Sequence, residues 1–65
     1  MLTVVVAARD EAAALPLLHP RIAAALARVD GLRTRVLYVD DGSTDDTWGV
    51  LGGIAAADPQ VALLR

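Results

Sequence analysis

Sixty-five residues without a cysteine exclude a disulfide framework and a thiolate metal site, and make a chain shorter than a usual domain. A net charge of −2, a pI near 4.9, scattered arginines and no lysine exclude the basic footprint of a nucleic-acid binder. With 55% hydrophobic residues, the composition suits a larger core than so short a chain encloses.

Leu2 to Ala8 is a continuous apolar run rich in valine, the pattern of a strand buried on both faces. No basic region precedes it, and Arg9, Asp10 and Glu11 end it with charge, so neither a signal peptide nor a membrane span is expected. From Leu15 onward, Leu15, Leu18, Ile22, Leu26 and Val29 recur at spacings of three and four, an amphipathic helical stripe. Pro16 fits the first turn of that helix, whereas Pro20 removes a backbone bond from its interior and predicts a kink near His19. Asp30 and Gly31 supply the stop, Gly31 suiting the left-handed position past a helix end.

The stretch from Arg35 to Thr47 organises the rest. Val36, Leu37, Tyr38 and Val39 show no polar alternation and predict a second strand with two buried faces, and Asp40 and Asp41 follow at its carboxyl end. Gly42 lets the backbone turn sharply there. Ser43 and Asp46 form a variant of the capping box, which predicts a helix from Ser43 or Thr44 to Ala57 with Trp48, Leu51 and Ala55 on one stripe. Gly49, Gly52 and Gly53 weaken this helix by about 1 kcal/mol each, so close packing on the sheet is the expected reason for them. Asp58 and Pro59 end it, and Gln60 to Arg65 begins a third apolar strand.

The order is β-α-β-α-β: an α/β, Rossmann-like parallel sheet. With strands laid down as 3-2-1 and right-handed crossovers, both helices fall on one face and leave the other bare, and because Leu2, Val4 and Val6 alternate with Val5 and Ala7, the bare face exposes apolar groups whichever it is. The expectation is the N-terminal part of a larger domain, a fragment whose bare face is covered by the rest of the chain or by self-association.

Adjacent residues of an extended segment point to opposite sides, so Asp40 and Asp41 are not expected to converge on one metal ion. On one reading, one carboxylate holds the turn while the other faces the strand-end crevice, where open parallel sheets bind ligands. On the other, both make only turn and cap hydrogen bonds. Glu11 fits a ligand contact or a helix N-terminus equally. His19 is expected on the helix surface rather than as a ligand or base, Tyr38 in packing, and Trp48 in the core with its indole N–H partnered.

The segments V-V-V-A-A-R-D-E (Val4 to Glu11) and Y-V-D-D-G-S-T-D-D-T (Tyr38 to Thr47) resemble the opening of the family 2 glycosyltransferases with the GT-A fold, most closely the polyprenyl-phosphate sugar transferases. The resemblance spans essentially the whole chain. It departs at Ala7, where the family usually has proline, at Asp10, usually asparagine, and at Ala12, usually acidic. The resemblance implies that this is the N-terminal, nucleotide-binding half of the fold. By matched position, Ala7, Arg9 and Glu11 line the nucleotide pocket, with Val39 and Asp41 at the base. It implies transfer of sugar from a nucleotide-sugar donor to an acceptor hydroxyl or lipid phosphate. It also implies a divalent cation, Mg2+ or Mn2+, whose ligands lie beyond this segment, as does the catalytic base. No catalytic or metal-binding residue is therefore assigned here, and the segment alone is expected to be inactive. The expected setting is cytoplasmic, with the inner membrane face as the alternative for a longer protein, and no nucleic-acid partner.

Three other classes remain open. D-D-G-S-T resembles the D-x-D-G-T nucleophile segment of haloacid-dehalogenase-like hydrolases, but alignment on Gly42 puts Val39 at the nucleophile position. A receiver-like domain needs a phosphoacceptor aspartate at the third strand end, where Leu63, Leu64 and Arg65 stand. A non-catalytic nucleotide-binding or interaction fragment is compatible with the composition.

Overall fold

The computed structural model describes residues 1–29, 31 and 33–65. Five elements run in the expected order: β1 (Leu2–Ala8), α1 (Leu15–Leu26), β2 (Thr34–Asp40), α2 (Thr47–Ala57) and β3 (Val61–Leu64). The strands form one parallel sheet in the order β1-β2-β3, with Val5 opposite Leu37, Ala7 opposite Val39, and Leu37 in turn opposite Ala62.

Strand alternation sorts the side chains. One face carries Val6, Ala8, Val36, Tyr38, Val61 and Leu63, and both helices pack there, Leu15 of α1 and Leu51 of α2 joining Ala8, Val36 and Tyr38 in the core. The opposite face carries Val5, Ala7, Leu37, Val39, Ala62 and Leu64, and among the described residues no helix or strand lies over it; Val5 is 64% exposed and Leu64 54%. This is the one-sided layer that the strand order predicts. Beta-branched residues suit the pleated surface of β1 even without a second layer.

In α1, Pro16 occupies the first turn and Pro20 stands inside the helix, which continues past it to Leu26. Its end tightens, with Arg28 and Val29 donating to the carbonyls three residues back, Ala25 and Leu26. Gly31 takes the left-handed conformation, φ 74°, as expected of a stop; Asp30, the other half of that expectation, lies outside the described residues.

Two expectations about α2 are corrected. The helix begins at Thr47, not at Ser43 or Thr44, because the side chains of residues 43 to 45 are engaged elsewhere, as described below; Asp46 precedes the helix without a side-chain capping bond. The glycines do not serve close packing on the sheet. A Cβ at Gly52 or Gly53 would meet nothing, whereas one at Gly49 would collide with the Asp46 carboxylate that folds over it. Gly49 alone meets a close approach, and the exposed Asp46 side chain that makes it can swing aside.

Candidate functional site

The carboxyl ends of β1 and β2 are adjacent, paired through Ala8 and Asp40, and each strand feeds a loop leading to a helix. Gly42 turns the second loop with φ 75°, in open space, so glycine is needed there for its backbone and not for its size.

Asp40 and Asp41 divide the work between them. Asp40 is 2% exposed, and its Oδ1 accepts hydrogen bonds from the Ser43 amide at 3.1 Å and from the Ser43 hydroxyl. Its Oδ2 is buried without a protein partner. Asp41, one residue on, is exposed at the strand end. Of the two sequence readings, turn-holding therefore fits Asp40 and leaves the Asp41 carboxylate open to solvent.

The cap-type residues that follow lace the second loop to the first. The Asp10 amide donates to Ser43 Oγ at 3.0 Å, and the Glu11 amide to Thr47 Oγ1 at 2.9 Å. The Ala12 amide donates to Asp45 Oδ2 at 3.3 Å. In return, Asp10 Oδ1 accepts from the Thr44 amide at 2.7 Å, the Thr44 hydroxyl at 3.2 Å and the Asp45 amide at 3.3 Å. Asp45 Oδ1 also accepts from the Thr47 amide and hydroxyl, and Thr47 is fully buried. The Thr44 and Asp45 amides hold the Asp10 carboxyl below the ordinary aspartate range, and the Thr47 hydroxyl does the same for Asp45. Sequence reasoning missed this lace. The available signal was an excess: Ser43 to Thr47 are five consecutive cap-type residues, more than one helix start can use.

The structure places the five expected site residues around this edge. Ala7 and Val39 face each other in register on the face without helices, Ala7 exposed and Val39 half-buried. Arg9 and Glu11 are exposed in the laced first loop, and Asp41 is exposed at the start of the second. Glu11 is tied through its amide, and its carboxylate takes no part in the lace.

Away from this edge, Tyr38 is fully buried and its hydroxyl lies 2.8 Å from His19 Nδ1, while His19 Nε2 lies 3.1 Å from Asp58 Oδ2. His19, expected on the helix surface, is instead turned inward, with a side chain 12% exposed. Burial pushes the Tyr38 hydroxyl up, with the Asp58 charge adding to it. The Gln60 amide, then His19, holds the Asp58 carboxyl below its usual range. An open apolar groove of about 520 Å³ runs between α1 and α2 beside this pair, lined by Pro16, Pro20, Val50 and Ile54 among others; none of the expected site residues borders it. Trp48, expected in the core with its indole N–H partnered, is half-buried against it, and the Arg65 guanidinium stands 5.1 Å over its ring.

A three-stranded parallel α/β layer in β-α-β-α-β order, with its connecting loops laced together at the strand carboxyl ends, is of the Rossmann-like class. The family described as glycosyl transferase family 2 has a sequence model that matches residues 3–65. The chain belongs to that family. No curated protein and no solved structure shows significant similarity to it. Membership counts against the hydrolase and receiver readings, both of which already lacked their acidic residue. The polyprenyl-phosphate flavour of the resemblance goes beyond what the family match carries.

Among the described residues, no group of three or more His, Cys, Asp or Glu side chains could hold a metal ion. Among the described residues, no helix is long and apolar enough to cross a membrane.

Proposed function

We propose that this segment is the N-terminal portion of a glycosyltransferase domain and holds the nucleotide of a nucleotide-sugar donor at the carboxyl ends of β1 and β2. The observation that carries the reading is the division between the two aspartates. Asp40 is occupied in the turn, while Asp41 presents free acceptor oxygens beside the Ala7–Val39 pair. Such a carboxylate suits the N–H edge of a nucleotide base, and the small Ala7 side chain leaves room for a flat ring against the strand ends. Arg9 supplies a cation at the same edge for the donor's phosphates.

The sugar then passes to an acceptor hydroxyl or lipid phosphate, in the cytoplasm or at the inner membrane face. Catalytic base and cation ligands come from other parts of the protein, so the 65 residues alone bind donor without turning it over. The bare sheet face supports this reading, since a complete α/β layer buries both sides.

Amide chemical-shift mapping with UDP-glucose and GDP-mannose tests the proposal. The expected result is perturbation concentrated at Ala7 to Glu11 and Val39 to Gly42. Perturbation confined to the α1–α2 groove, or none with either compound, would contradict it.

A further inference from the structure

We propose that Asp10 is a positioning residue for the donor pocket, fixing the spacing of the two loops that carry Arg9, Glu11 and Asp41; the inference rests on the donor-binding reading above. Asp10 is the one non-glycine residue with positive φ among the described residues, at 52°. Aspartate tolerates this left-handed conformation better than most side chains because its short polar group finds nearby donors. Here the donors belong to the other loop. A single oxygen, Oδ1, accepts from the Thr44 amide, the Thr44 hydroxyl and the Asp45 amide, 34 and 35 residues along the chain, and the Asp10 amide donates across the same gap to Ser43 Oγ.

The rest of the lace does different work. The Glu11 and Ala12 amides reach Thr47 and Asp45 at the start of α2, and Asp40 fixes Ser43 from below. Among the described residues, Asp10 is the first-loop side chain that reaches across to the backbone of the second loop, three and four residues after Asp41. Its immediate neighbours are Arg9 and Glu11. Removing its carboxylate takes away the three inter-loop bonds that end on Oδ1 while leaving the core residues Val36, Tyr38 and Leu51 untouched. The depressed Asp10 carboxyl accords with a carboxylate engaged by backbone donors at neutral pH.

Because all three contacts use Oδ1, asparagine can reproduce them through its carbonyl oxygen, which makes Asp10→Asn the retaining variant and Asp10→Ala the removing one. Wild type and both variants are compared by amide hydrogen exchange and by calorimetric titration with UDP-glucose and GDP-mannose. In Asp10→Ala, exchange at Thr44 and Asp45 accelerates about tenfold with Val36 and Tyr38 unchanged, and affinity for whichever donor the wild type binds falls about tenfold. Asp10→Asn restores both. Faster exchange in Asp10→Ala with unchanged affinity would overturn the positioning role and leave donor binding standing. Failure of the wild type to bind either donor would overturn the donor reading and this inference with it. Should Asp10→Ala lose protection at Val36 and Tyr38 as well, Asp10→Asn decides: wild-type affinity supports the role, and a tenfold loss overturns it.

Discussion

The Tyr38 hydroxyl and His19 Nδ1, 19 residues apart in sequence and 2.8 Å apart in space, tie the middle strand to α1 from inside the core. A neutral imidazole that accepts from Tyr38 at Nδ1 carries its proton at Nε2 and donates it to Asp58, so one ring satisfies both partners. The chain of contacts thereby joins β2, α1 and the end of α2.

Tyr38→Phe leaves a half-buried ring nitrogen without its donor and should destabilise the fold by about 1 kcal/mol, lowering Tm by about 4–8 °C. His19→Ala strands a fully buried hydroxyl and should cost more, about 1–3 kcal/mol. The double variant should fall short of the sum. Thermal unfolding followed by circular dichroism checks all three; a His19→Ala protein as stable as wild type would show that the contact carries nothing.

Tyr38 is the only tyrosine, so its ionisation can be read directly from tyrosinate absorbance. Its hydroxyl should stay protonated well above the ordinary tyrosine value, because burial disfavours the anion and Asp58 repels it. Titration at the ordinary value in the folded protein would place the hydroxyl in solvent.

Asp10, Asp45 and Asp58 all have carboxyl groups held below their ordinary range. Groups whose folded values are depressed contribute stability that is complete above the unfolded value and lost as pH falls through the folded one, here below about pH 4. Stability should therefore be flat near neutrality and fall below that point, and Asp58→Asn should shallow the acid limb. An acid limb identical in that variant would remove Asp58 from the account.

The uncovered sheet face, with Val5 and Leu64 largely exposed, should drive self-association of the isolated chain. Sedimentation over a range of concentrations checks this, and Val5→Thr with Leu64→Thr should shift the balance toward monomer. A stable monomer at every concentration would contradict the burial argument.

The strands and their order were legible because Leu2 to Ala8, broken only by Thr3, and Val36 to Val39 are apolar runs that end in charge, and the bare face followed from the order. The start of α2 was not, because Ser43 and Asp46 match a capping pattern by type and spacing alone. Ser43 bonds Asp40 and Asp10, and Asp46 folds over Gly49. That choice depends on the neighbouring loop, a tertiary fact that local pattern does not encode. His19 was misjudged likewise, since its partners Tyr38 and Asp58 lie 19 and 39 residues away.

The central claim rests on Asp41, and calorimetric titration of UDP-glucose and GDP-mannose into wild type, Asp41→Ala and Asp40→Asn tests it most directly. A hydrogen bond to a charged acceptor is worth roughly 1.5–3 kcal/mol, so Asp41→Ala should weaken donor binding about ten- to a hundredfold. Asp40→Asn, altering the carboxylate that holds Ser43, should lower thermal stability with a smaller change in affinity. Equal affinity of Asp41→Ala and wild type, both folded, would contradict the account.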